Sequence, residues 1–204
     1  MMKITMKNRT PADMETREVS RGHHDYPNQL IRCFENRSPL IITMQGNISI
    51  FRNDKLALFC SVKCPGKVII TLYDYMQALC EQGQTVISGF HSPLEKECLR
   101  ILLRGRQPVI ICPARAIQNM RLPEDWKKPL QEGQLLLISP FKGNQRRVTI
   151  DHAQQRNEFV AALADRILIP YSFPGGRTEK LLEKISRWNK PILTDIGSTM
   201  QFAR

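Results

Sequence analysis

Acidic side chains are in short supply in this chain. Its 204 residues hold 19 Asp and Glu against 30 Lys and Arg, a formal net charge of +11, which points away from basic partners and toward polyanions such as nucleic acid. Long apolar runs are missing as well. None approaches the roughly 20 residues of a membrane span, so no membrane partner is expected. The opening stretch MMKITMKNRTPADMETREVSRGHH is polar and mixed in charge, without the apolar segment of a secretory signal. Six cysteines are present but form no CxxC pair, so zinc-ribbon and thioredoxin-type motifs are excluded. They read as reduced thiols of a cytoplasmic protein. Cys60, Cys98 and Cys112 fall inside apolar patterns, and Cys60 and Cys64 are the pair to watch. His23 and His24 are given no ligand role, and neither a metal nor a cofactor is expected. Neither GxGxxG nor GxxxxGK[ST] occurs, which removes the familiar dinucleotide and P-loop phosphate cradles and any visible machinery for ATP hydrolysis. Aromatics make up only 7%. Phe90 and Phe141 are the candidates for base stacking, and core packing competes for both.

What is there is a regular alternation. Apolar stretches of strand length, LALFCSV, TVIS, PVIICPA, QLLLISPF, RILIPYSF and PILTDI, are separated by segments with helical spacing. In VIITLYDYMQALCEQG, Ile69, Leu72, Tyr73, Met76 and Leu79 share one face and Gly83 provides the stop. Further helices are expected over 93–104, 122–133, 151–165 and 178–189. Strands apolar throughout and joined by helices predict an α/β protein, with a doubly wound, mostly parallel sheet in three layers and right-handed crossovers. Residues 1–38 read as a partly irregular N-terminal extension and 39–204 as the domain.

The helix after TVIS begins unusually well. Ser92, Pro93 and Glu95 have the spacing of a capping box with Pro at the first helical position. This start also suits an ordinary crossover, but it follows a strand and Gly89, the setting of a helix-terminus anion site. Two more strand ends run through Gly or Pro turns into helices: Ser61-Val62-Lys63-Cys64-Pro65-Gly66 and Pro174-Gly175-Gly176-Arg177-Thr178. Ligands of open α/β sheets sit at such carboxyl ends, near a reversal of strand order, expected here near Gly89. Separately, ten basic residues between Arg100 and Ile150 face only Glu124, Asp125 and Glu132, a local excess of +7.

Taken in order, several segments are similar to the DNA-processing protein A (DprA/Smf) family, over about Tyr26 to the end. YPNQL resembles its YPxxL entry and SPLIITMQGN its PxxLyxxGN segment. LALFCSVK stands where the family has VAIVGSRK, and GQTVISGFHSPLEKECL where it has GxxVVSGxARGIDxxAH. EGQLLLISPF and RNEFVAALADRILIP fit its later strand and RNR helix. The chain departs from the pattern at Cys60 and Val62 in the GSR positions, at Ser92 and Glu95 in ARGID, and at Glu158 in RNR.

The resemblance implies a Rossmann-like, non-catalytic domain that binds single-stranded DNA in uptake and recombination, forms a homodimer and works with a RecA-type recombinase. By motif match it assigns Lys63, Ser88, Gly89, Ser92, Arg156 and Asn157 to an anion pocket for nucleotide or DNA phosphate. Reading strand ends adds Ser61, His91, Arg115, Gly175, Gly176, Arg177 and Thr178, with Lys67 nearby. PGGRTEKLLE also resembles the PGGxGTxxE motif of LOG-type nucleoside-monophosphate phosphoribohydrolases, with Glu179 and Glu183 at shifted spacing. Three readings therefore stand: DNA binder, nucleotide sensor and phosphoribohydrolase.

Overall fold

The computed structural model describes residues 16–196 apart from 144 and 146. Residues 1–15, the first part of the expected N-terminal extension, lie outside the described residues, as do 197–204. Eight strands form one sheet: β1 (Thr16–Ser20), β2 (Ile41–Gly46), β3 (Lys55–Leu58), β4 (Thr85–Ser88), β5 (Val109–Ile111), β6 (Leu135–Ser139), β7 (Arg166–Leu168) and β8 (Ile192–Leu193), in the order β1-β2-β6-β5-β4-β3-β7-β8. The run from β6 to β8 is parallel, while β1–β2 and β2–β6 pair antiparallel. Six α-helices accompany it: α1 (Asn28–Phe34), α2 (Gly66–Gln82), α3 (Pro93–Arg104), α4 (Glu124–Gln131), α5 (Ile150–Leu163) and α6 (Arg177–Ile185). This is a Rossmann-like three-layer α/β fold.

Alternation along the strands sorts the core into two halves. Ala57, Ile87, Ile110, Leu136, Ile138 and Ile167 pack with Leu30 of α1, Phe159 and Leu163 of α5 and Ile185 of α6. Their neighbours Leu56, Leu58, Val86, Val109, Ile111, Leu135 and Leu137 pack on the other side with Leu72, Met76 and Leu79 of α2, Leu99 and Leu102 of α3 and Leu130 of α4. Both faces are covered, so the central strands are apolar throughout. Gly83 ends α2 in the left-handed conformation, φ +68°. β1 and α1 belong to the first of these halves through Val19, Tyr26 and Leu30. Among the described residues no helix is long and apolar enough to cross a membrane.

Strand order reverses between β3 and β7, one strand away from the expected position at Gly89. From β3 the chain winds through β4 and β5 to β6, then returns past all of them to place β7 on the far side of β3. The helix of that return is α5. Because it must recross the sheet, it reaches the carboxyl ends of β4 and β5, which is what brings a residue of its middle turns, Arg156, over them.

The expected basic stretch divides with the topology. Arg104 ends α3 and Arg106 follows it before β5, at the amino ends of the parallel strands, whereas Arg115 and Lys142 follow β5 and β6 at the carboxyl ends. Arg100, Lys127 and Lys128 pair with Glu97, Glu124 and Glu132. The +7 excess is therefore not one patch.

Candidate anion-binding site

Three strand-end turns converge at the reversal. Phe59 to Lys63 after β3, His91, Ser92 and Glu95 at the start of α3, and Phe173, Gly176 and the first turns of α6 (Arg177, Thr178 and Leu181) surround a cavity of about 380 Å³ whose remaining wall is Ala153, Gln154, Arg156 and Asn157 of α5. Of the expected site residues, Ser61, Lys63, His91, Ser92, Arg156, Asn157, Gly176, Arg177 and Thr178 border it. Gly89 and Arg115 do not. They line a smaller adjoining cavity of about 210 Å³ together with Lys96, Trp126, His91 and Arg156. Ser88 is buried below, its hydroxyl donating to the Leu58 carbonyl at 2.8 Å. Gly175 is exposed at the outer bend of its turn. Lys67 lies on the exposed first turn of α2, outside both cavities.

Arg156 is the hinge of the arrangement. Only 4% exposed, it donates from Nη1 to the Cys112 carbonyl at 3.1 Å and from Nε to Asn157 Oδ1 at 2.7 Å. No carboxylate lies within salt-bridge distance of it among the described residues. Gly89 makes room for it: a Cβ there would fall 1.2 Å from Arg156 Nη1. The space expected for a phosphate above Gly89 is thus filled by a guanidinium. A buried cation without an ion-pair partner is costly, and an anion entering the cavity would relieve that cost with charge-assisted hydrogen bonds.

The start of α3 forms the full capping box: Ser92 Oγ accepts from Glu95 N at 3.2 Å, and Glu95 Oε2 accepts from Ser92 N and His91 N at 3.1 and 3.0 Å. These donors, expected to face an anion, are consumed within the box, and the Glu95 carboxylate itself borders the cavity. Positive charge comes from side chains instead. Ser92→Ala should therefore lower stability by about 0.5–2 kcal/mol through the lost cap while leaving ligand affinity within about twofold. Thermal unfolding and a binding titration on the same protein check this.

Before α6, Gly176 N donates to Phe173 O at 2.9 Å, and Gly175 has φ +70°. Pro then Gly at the two central positions is type II turn chemistry. At Gly176 a Cβ would meet the Phe173 carbonyl at 2.7 Å. Glu179 closes the turn, accepting from Gly175 N at 2.6 Å. Sequence reasoning missed the aromatic this turn presents. Phe173 is 39% exposed at the cavity mouth, with Lys63 Nζ 5.1 Å from its ring centroid. Phe90 and Phe141, the expected candidates, are 3% and 2% exposed and belong to the core. An exposed Phe directly before PGG was the available signal.

His23, His24 and Asp25, given no role, place one ligand atom each within 4.8 Å of one another. Desolvation raises the Asp25 pKa, but the hydrogen bond and charge of Arg17, with which it pairs, and the two imidazoles together outweigh that and hold the carboxyl below its usual range.

Fold and site together define a Rossmann-like domain with a cationic cavity at its topological switch point. A family model described as DNA recombination-mediator protein A matches residues 17–172, and the chain belongs to that family. Among solved structures, DNA processing protein A from Streptococcus pneumoniae superposes with a TM-score of 0.67 at 14% identity, over 92% of this chain and 74% of that one. The Helicobacter pylori protein of the same name, whose single-stranded DNA binding mode its structure addresses, gives 0.69 at 14% identity, over 95% and 90%. No curated protein matches the chain in sequence.

Proposed function

We propose that this chain is a non-catalytic, cytoplasmic DNA-processing protein that binds single-stranded DNA across the switch-point cavity, acting as a homodimer alongside a RecA-type recombinase. The observation that carries the reading is the buried Arg156, without a carboxylate partner among the described residues, in a cavity that also offers Lys63, Arg177 and an exposed Phe173. Cations for phosphate beside an aromatic face for a base are the two ingredients of single-strand binding. Family membership and the Helicobacter pylori likeness support the same reading.

A nucleotide sensor is the second reading, favoured by one detail: Glu95 puts an acceptor carboxylate at the cavity wall, where ribose hydroxyls or a base amine could donate. The phosphoribohydrolase reading has less support. Glu179 is held by Gly175 N–H, and neither it nor Glu183 borders the cavity.

Titrating a fluorescent oligothymidylate against salt tests the proposal. Three cations engaging phosphates give a log–log slope of about −2. Phe173→Ala should weaken binding by about 1–3 kcal/mol, the loss of one stacked base, with the slope unchanged. Binding to free nucleotide but not to the oligonucleotide would select the sensor. Release of free base from a nucleoside monophosphate would select the enzyme.

A further inference from the structure

The strand-end turn after β3 carries a feature that phosphate binding does not use. Cys60 and Cys64 are both free thiols, with their sulfurs 3.8 Å apart. Cys60 is 5% exposed and borders the cavity; Cys64 is half-buried nearer the surface. Between them lie Ser61 and Lys63, the two residues that tie this turn to the opposite wall. Ser61 N donates to the Tyr171 carbonyl at 3.2 Å, Ser61 Oγ accepts from Phe173 N at 2.9 Å, and Lys63 lies over the Phe173 ring.

We propose that Cys60 and Cys64 are a reversible modification site, oxidised by a hydroperoxide to an intramolecular disulfide that reshapes the cavity mouth. The sulfurs must close from 3.8 Å to about 2.05 Å. Cys33 lies on α1, Cys80 on α2 and Cys112 after β5, while Cys98 of α3 packs in the same half of the core as Cys60 and Cys64. The chemistry balances in two steps. The Cys64 sulfur attacks one oxygen of hydrogen peroxide, the O–O bond breaks, one water leaves and Cys64 becomes a sulfenic acid. The Cys60 sulfur then attacks Cys64 Sγ, the S–O bond breaks and a second water leaves. Two electrons pass from the thiol pair to the peroxide, and both thiol protons end in water. Burial pushes both thiols up, Cys60 further than Cys64, so Cys64 attacks first, Cys60 resolves, and the reaction is slow beside that of a dedicated peroxidatic cysteine.

Closure draws in the turn that holds Ser61 and Lys63, so the Lys63 ammonium leaves Phe173. This second half rests on the single-stranded DNA reading. The full chain is treated with hydrogen peroxide, its remaining thiols are alkylated, and it is digested with trypsin, which cuts after Lys63. The expected product is a pair of peptides joined through Cys60 and Cys64, with the other four thiols alkylated. The oxidised protein should bind oligothymidylate about tenfold more weakly, the worth of one charge-assisted hydrogen bond, and dithiothreitol should restore it. Cys64→Ser should show neither change. Lys63 acylation by an amine reagent reads the turn without DNA, and its rate should differ between the two forms. A disulfide through any other cysteine, over-oxidation of Cys64 with Cys60 still alkylatable, or an unchanged Lys63 acylation rate overturns the proposal. A joined peptide pair and altered acylation with no DNA binding in either form would overturn the DNA reading and leave the redox site standing.

Discussion

Arg156→Met should cost single-stranded DNA affinity and leave the fold at least as stable. Two charge-assisted hydrogen bonds from the guanidinium to a phosphate are worth about 1.5–3 kcal/mol each, so affinity should fall about a hundredfold or more. Stability moves the other way because the magnitudes oppose one another. Losing the bonds to the Cys112 carbonyl and to Asn157 Oδ1 costs about 1.5 kcal/mol apiece, the low end for bonds to a charged group. Removing a buried charge with no carboxylate partner recovers several kcal/mol, less what cavity water already returns to it. Residues that cost stability and are kept for binding follow this pattern. Chemical denaturation and an anisotropy titration decide it. A protein that unfolds more easily yet binds DNA as before would show Arg156 to be a structural strut.

Gly89→Ala should damage both fold and binding in one step. The added methyl would lie 1.2 Å from Arg156 Nη1 and 1.8 Å from Cζ, so the guanidinium must leave its place over β4. Overpacking of this kind costs typically about 1–3 kcal/mol, or roughly 2–12 °C in Tm for a chain of this size. Affinity should fall to the level of Arg156→Met. The double variant Gly89→Ala/Arg156→Met is the informative one. With the long cation gone the methyl has more room, so stability should recover by about 1 kcal/mol or more relative to Gly89→Ala, a coupling of the size expected for residues in contact. Binding should not recover. Gly89→Asp adds charge to the same bulk: its carboxylate would pair with the displaced Arg156 and abolish binding. Additive effects in the double variant would sink the contact as the explanation.

Much of this fold was legible because its signals are local. The six parallel strands are apolar on both faces, α2 stops at a left-handed Gly83, and Ser92, Pro93 and Glu95 announce the start of α3. β1 was not legible: it is an edge strand, and only Val19 of its five residues is buried, so it carries no apolar run. The site was legible as three turns, since each has its own Gly, Pro or cap residues. What those turns face was not. That Arg156 lies over Gly89 depends on α5 recrossing the sheet, a consequence of strand order rather than of either residue's neighbours. The same crossover moved the reversal to between β3 and β7. The motif match did place Arg156 and Asn157 in the pocket group, and they do border the cavity.

The Ser61–Phe173 hydrogen bond joins groups 112 residues apart, and that separation sets when the cavity can exist. Contacts so distant in sequence are slow to form, because the intervening loop must close before they give anything back. Until β7 has docked on β3, the β3 turn has no opposite wall and Phe173 has nowhere to present its ring. A chain still emerging from the ribosome, with β3 to β6 already folded, would carry Lys63 and Glu95 but no pocket. The ability to hold an anion would be the last property it gains, and ligand binding would draw its linkage to stability from the β3–β7 seam.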